Sequence, residues 1–268
     1  MNKPLRLMAI FAHPDDETLG TGATLARYAA EGVETTLVCA TRGERGWDGP
    51  PETNPGLQAL GKLRQAELHA AAQALGIRQV FFLDAIDGEL DQADPIATAR
   101  RIAAIVRTVR PQVVVTFAPD GDYGHPDHMA ISRLALSAIF MAALHQTDLS
   151  ELPPHSVSKL YYYVTSPQLK QAIDDCFGGI HFPVKGEIRS LAAWPDWAIS
   201  TRIRAPEFLP AVWNATLSHR SQIGFLGDPD QFPETLKPAL MAENSFVRAF
   251  SIVPEDPSEA HDLFAGLR

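Results

Sequence analysis

Residues 5–17 read LRLMAIFAHPDDE, an apolar run from Leu5 to Phe11 that passes directly into Ala12, His13, Pro14, Asp15, Asp16 and Glu17. The run reads as a β-strand, and the pattern from Leu19 to Glu31 reads as a helix. Outward from there the alternation repeats. Glu34 to Ala40 reads as a strand, Gly56 to Leu75 as a helix, Val80 to Leu83 as a strand, and Pro95 to Val109 as a helix. The β-branched run Gln112 to Phe117 and a helix from about Asp127 to His145 complete the series. Strands alternating with helices of this length imply an α/β fold with a mostly parallel sheet and right-handed crossovers, whose sites lie at the carboxyl ends of the strands.

The second half is less regular, an α+β portion with Leu160 to Thr165 and Ala198 to Ile203 as strands and Gly178 to Trp197 as loop. A helix is expected from Pro206, a residue suited to the first helical position, to about Ile223. The Gly-Asp-Pro turn within Gly224 to Pro233 ends it. The last dozen residues read as a loosely held tail. A chain of 268 residues, 46% hydrophobic, is long enough for one large domain. A single domain is expected, with a core over about 5–165 and a portion over about 166–268 that completes the site.

A formal net charge of -9 argues against surfaces that bind nucleic acid or anionic membranes. No stretch approaches the roughly 20 apolar residues that span a bilayer, and no signal peptide is read at the start. Cys39 and Cys176 belong to no CxxC pattern, which fits a cytoplasmic protein not held together by disulfides.

His13 and Asp16 stand three apart, so a helical turn starting at Pro14 puts both on one face, as two ligands of one ion require. Asp15 then points elsewhere, where a carboxylate can take a proton from water held at the ion. The alternative is an acidic helix start favoured by the macrodipole. A second cluster, Asp120-Gly121-Asp122-Tyr123-Gly124-His125-Pro126-Asp127-His128, follows the strand ending at Phe117. Two such clusters can give one ion three protein ligands and leave a position for water, the pattern of catalytic zinc. By spacing alone, either His125 or His128 can be the third ligand.

AHPDDE followed by YGHPDH resembles the LmbE-like, or PIG-L, family of metal-dependent N-deacetylases. Arg64-Gln65-Ala66-Glu67, Ala74-Leu75-Gly76, Asp87-Gly88 and His219-Arg220-Ser221-Gln222 fall in the family's order, so the resemblance covers about residues 5 to 225. It implies a Rossmann-like sheet with helices on both faces and a zinc held by His13, Asp16 and His128, with iron(II) as the alternative metal. It further implies Asp15 as general base, His125 near the oxyanion, Asp127 orienting His125, and Tyr123 as a mobile residue at the acyl carbonyl. The expected reaction removes acetyl from the nitrogen of an N-acetylglucosamine-type small molecule or glycoside. Relatives are often homo-oligomers.

Four further residues are candidate substrate contacts. Arg42 and Trp47, in the loop after the second strand, can meet hydroxyls and stack on a sugar. Arg64 forms an i,i+3 pair with Glu67, and Asp87 precedes a glycine at a turn. His219 and Gln222 are read as sharing a helical face. Gly20-Thr21-Gly22 lacks the third glycine of a dinucleotide fingerprint, and no GxSxG elbow is present. Two rival readings are a metal-dependent amidase, esterase or phosphoesterase on another substrate and a non-catalytic metal- or carbohydrate-binding protein. Asp15 speaks against the latter, because a binder needs ligands but no free base.

Overall fold

In the computed structural model, which describes residues 4–145, 149, 151–254 and 261–268, the β/α alternation of the first half is present. It runs β1 (Arg6–Phe11), α1 (Asp16–Leu19), α2 (Gly22–Ala30), β2 (Glu34–Cys39), α3 (Leu57–Leu75), β3 (Gln79–Phe82), α4 (Pro95–Val109) and β4 (Val113–Phe117). Then come α5 (Gly121–Gly124), α6 (Pro126–Ala143), β5 (Lys159–Val164), α7 (Pro167–Phe177), β6 (His181–Val184) and β7 (Glu187–Ser190). The chain continues through β8 (Thr201–Arg204), α8 (Leu209–Ser218), α9 (Lys237–Met241) and β9 (Glu243–Ser251).

One seven-stranded sheet has the order β3-β2-β1-β4-β5-β9-β8. β1 to β5 are mutually parallel, and β9 runs antiparallel to both β5 and β8. Right-handed crossovers that first step outward from β1 to β3 and then back across to β4 and β5 place α2 and α3 on one face and α4 and α6 on the other. The packing agrees: α4 lies on α6, while α3 lies on α2 and α8. Both faces of the central strands are therefore covered, and Leu7–Phe11 of β1 and Val113–Val115 of β4 are buried throughout. Local chemistry sets the helix starts. Asp94 accepts the Ile96 and Ala97 N–H groups at 2.9 and 3.0 Å ahead of Pro95, and Ser166 accepts Leu169 N–H at 3.1 Å ahead of Pro167.

Four expectations fail in the second half. The segment 178–197 is not simply loop: β6 and β7 form a hairpin whose Lys185-Gly186 turn has φ of 47° and 85° at its two central residues. The helix expected from Pro206 to Ile223 begins with a short 3₁₀ turn, Pro206–Phe208, and stops at Ser218. His219 and Gln222 thus lie in a turn past the helix end, closed by Gln222 N–H donating to the His219 carbonyl. β9 supplies an inner strand where none was expected. Finally, residues 261–268 are no loose tail, since Leu263 and Phe264 are fully buried against the main core. Leu263 N–H donates to the Tyr28 hydroxyl at 2.6 Å, and the Tyr28 and Phe264 rings meet edge to face. Residues 257–260 of the expected tail lie outside the described residues.

Candidate active site

The chain steps from β1 outward to β3 and then to β4 on β1's other side, so a crevice opens between the carboxyl ends of β1 and β4, the topological switch point of the sheet. Both sequence clusters sit there. After β1, the Asp16 carboxylate turns back and its Oδ2 accepts the N–H groups of Ala12 and His13 at 3.1 and 2.8 Å. After β4, His125 caps α6 and Pro126 occupies its first position, which sets His128 one turn in. The His128 ring stacks on Phe117 at 3.9 Å and 6°.

His13 Nδ1 lies 3.2 Å from His128 Nε2, which lies 3.5 Å from Asp16 Oδ1. His13 Nδ1 also lies 3.8 Å from Asp16 Oδ2. A tetrahedral ion with bonds of about 2.1 Å sets its ligand atoms about 3.4 Å apart, so two imidazole nitrogens and a carboxylate with these separations fit a zinc-type ion. His13 Nε2 faces Asp127 Oδ2 at 3.2 Å and Asp87 Oδ1 at 3.1 Å. Asp127 also accepts the N–H groups of Gly88 and Leu90 at 2.7 and 3.1 Å, and Asp87 accepts Arg45 N–H at 2.9 Å. His13, Asp87 and Asp127 converge closely enough to be considered a donor set, as do His13, His125 and His128. The first set has the arrangement in which carboxylates back an imidazole and leave its other nitrogen to face an ion. In the second, His125 Nδ1 already accepts Asp127 N–H at 3.2 Å. The Asp127 carboxylate therefore bears on His13, whereas the resemblance implied His125; the hydrogen bond between Asp127 and His125 runs through the Asp127 backbone.

Charge follows from this crowding. Burial opposes protonation of His13, but the hydrogen bonds to Asp127 and Asp87 outweigh it and hold the imidazole well above its usual pKa. Burial pushes the Asp16 carboxyl up to about 7, against the His13 charge and with Asp15 adding to the rise. Burial and the His13 charge press His125 down to about 4, so that ring is neutral at pH 7. Buried carboxylates this close together form a strongly cation-seeking site.

Asp15 sits outside the donor triad with φ of 112°, a region that non-glycine residues rarely occupy. Its N–H donates to Glu17 Oε2 at 3.0 Å, and its carboxylate meets Arg64 at 3.2 Å. Glu17 in turn is bonded to His219 Nε2 at 2.7 Å, both fully buried. Glu17 carried no role in the sequence reading; its place two residues after Asp15 was the available signal. Arg64 and Glu67 do not form the expected surface pair. Both are buried, Arg64 donating to the Gly43 and Pro14 carbonyls at 2.9 and 2.6 Å and Glu67 accepting from Ser221. Gly43 has φ of 63°, and a Cβ there would overlap the Arg64 guanidinium, so only glycine fits.

A cavity of about 510 Å³ lies over the site, lined by His13, Asp15, Asp16, Asp87, His125 and His128 among others. Trp47, Arg64 and Gln222 also line it, but Arg42 does not. Arg42 is instead tied to Gln65 at 2.6 Å and Asp84 at 2.5 Å and covers the Phe82 ring. Tyr123 stacks on Phe182 of β6 at 3.9 Å. Both residues line this cavity and a second one of about 220 Å³. Phe182 escaped the sequence reading because its hairpin was taken for loop.

The PIG-L family profile, described as GlcNAc-PI de-N-acetylase, matches residues 8–139. A 1D-myo-inositol 2-acetamido-2-deoxy-alpha-D-glucopyranoside deacetylase of Rhodococcus opacus (strain B4) is 32% identical, with 98% of each chain covered. Among solved structures, a conserved protein of Thermus thermophilus superposes with a TM-score of 0.65 at 27% identity, covering 93% of this chain and 97% of that one. An N,N'-diacetylchitobiose deacetylase from Pyrococcus horikoshii shares the fold, with a TM-score of 0.66 at 20% identity over 91% of this chain and 83% of that one. Sheet topology, the two motifs at its switch point and near-complete alignment with a relative agree, and the chain belongs to the PIG-L, or LmbE-like, family of N-deacetylases.

Proposed function

We propose that this protein is a zinc-dependent hydrolase that removes the acetyl group from an N-acetylglucosamine-type small molecule. The observation that carries the reading is the approach of His13 Nδ1, the Asp16 carboxylate and His128 Nε2 to one another beneath an open cavity, with Asp15 beside them and outside the triad. These three residues would hold the ion, and iron(II) suits the same donors. The Rhodococcus relative, aligned over nearly all of both chains, is named for an N-acetylglucosamine glycoside, which supports that substrate class. Two free cysteines, one buried at the end of β2, fit a reducing cytoplasm.

When bound, the ion supplies Lewis acidity toward the acyl carbonyl and a nearby water. Asp15 takes the proton of the attacking water and returns it to the departing amine nitrogen. Arg64 and Glu17 hold Asp15 in place, one at its carboxylate and one at its backbone. His125 is neutral and accepts through Nδ1, so its Nε2 carries the proton and donates toward the carbonyl oxygen as charge builds there. Tyr123 lines the same space and adds a hydroxyl. Trp47 offers an apolar face to the sugar ring.

Metal analysis paired with acetate release from N-acetylglucosamine and its glycosides tests the reading. Roughly one metal per chain and chelator-sensitive acetate are expected. Asp15→Asn should keep the metal and lose about 10²- to 10⁴-fold in turnover. Normal hydrolysis by that variant would remove Asp15 as the base, and bound metal with no acetate from any glycoside would overturn the substrate class.

A further inference from the structure

The second cavity is built differently from the first. Leu169, Ile173 and Phe177 recur every four residues along one face of α7 and form one wall, while Leu240 and Met241 of α9 and Ile180 close others. Away from Tyr123 and Tyr163, the hydroxyls on its wall are already committed within the protein. Thr18 donates to Glu17, Thr165 to Asp122 and Thr216 to the Val212 carbonyl, at 2.5, 2.7 and 2.9 Å. A sugar placed at the α7 and α9 end, away from Asp122, Tyr123 and Tyr163, would bury hydroxyls against aliphatic surface without partners, which is unfavourable. Yet the cavity opens onto the reaction centre, where Asp15, Asp16, Tyr123 and His128 line it.

An amide spanning the site must therefore divide itself. The amine half, with its hydroxyls, fits the larger cavity, whose walls include Asp48, His181 and Gln222. What enters the smaller cavity is attached at the carbonyl carbon and is apolar. Resting on the N-deacetylase reading above, we infer that this enzyme hydrolyses N-acyl amino sugars whose acyl chain is longer than acetyl, the chain lying along α7. An apolar cavity of about 150 Å³ holds a six-carbon ring, so about 220 Å³ takes a chain of roughly four to eight carbons. Hydrolysis adds one water across the amide: the C–N bond breaks, hydroxide oxygen stays with the acyl carbon as a fatty carboxylate, and the nitrogen leaves as the amine.

The test is a series of N-acetyl-, N-butanoyl-, N-hexanoyl- and N-octanoylglucosamine, with zinc-loaded protein and amine release as the readout. The hexanoyl compound should match or exceed the acetyl compound in kcat/KM. Ile173→Trp should lower hexanoyl hydrolysis about tenfold or more and leave acetyl hydrolysis within about twofold. A wild-type hexanoyl rate more than about tenfold below acetyl overturns the acyl cavity and leaves the deacetylase reading standing. Leu169→Phe stands in if Ile173→Trp does not fold.

Calorimetric binding separates the two readings if no compound is turned over. N-hexanoylglucosamine should then bind the wild type at least about fivefold tighter than N-acetylglucosamine, with the advantage lost in Ile173→Trp. Equal affinities overturn the inference. The octyl glycoside of N-acetylglucosamine tests for an apolar group on the sugar instead, and its displacement of the hexanoyl compound with an Ile173→Trp-sensitive affinity counts against the acyl assignment.

Discussion

His13 performs two tasks that its position in the sequence could suggest only in part. One ring nitrogen meets Asp16 and His128, and the other is held between Asp127 and Asp87. Asp127 is fully buried and ties His13 to the backbone N–H groups of Gly88 and Leu90, so it fixes both ring orientation and tautomer. Asp127→Asn should weaken metal affinity by about 10- to 100-fold while leaving the fold intact, as read by competition against a chelating dye and by circular dichroism. Unchanged affinity would assign the orientation of His13 to Asp87 alone. The spacing His13-x-x-Asp16 was legible because a helical turn brings such residues together. The Asp127 pairing was not, because it joins two strand ends that are neighbours only in the folded sheet.

At the scale of elements, legibility tracks periodicity. The five parallel strands each carry a short apolar or β-branched run and most helices between them have one apolar face, so both were readable. The β6–β7 hairpin carries Pro183 within a four-residue strand and a Lys-Gly turn, and neither is a strong hairpin signal. β9 was hidden because its buried positions include Asn244 and Ser245; Asn244 Oδ1 accepts from both the N–H and the hydroxyl of Thr24. α7 has a sequence signal of its own in Ser166-Pro167, a cap and first-turn pair. Of these less legible elements, β6 and α7 line the cavities at the site. Phe182→Ala, which removes the ring stacked on Tyr123, should lower kcat/KM by about ten- to a hundredfold with little change in melting temperature. A large loss of stability with intact kinetics would make the hairpin a structural brace instead.

For the whole molecule, the C-terminal residues act as a clasp. Phe264 is fully buried beside Tyr28, and Phe264→Ala should destabilise the fold by about 3–5 kcal/mol in chemical denaturation. Asp262 accepts from Tyr28, from Phe264 N–H and from Arg268, at 2.9, 2.9 and 2.8 Å. Burial alone would raise its pKa, but Arg268 and these donors win and hold the carboxyl below its ordinary value. A depressed folded-state pKa gives stability that is fully present above the unfolded carboxylate range and lost as pH falls through the folded value. Exchange protection of the Leu263 and Phe264 amides should therefore fall on acidification below the usual aspartate range, and Asp262→Asn should flatten that dependence.

The place of β9 also governs how the molecule is made. Its residues, 243–251, lie between β5 and β8, both of which leave the ribosome earlier. Until residue 251 emerges, β5 keeps a bare edge of N–H and C=O groups and β8 has no sheet to join. The growing polypeptide therefore spends much of its synthesis as an unfinished sheet open to pairing with other strands, and the last inner strand to be translated is the one that seals it.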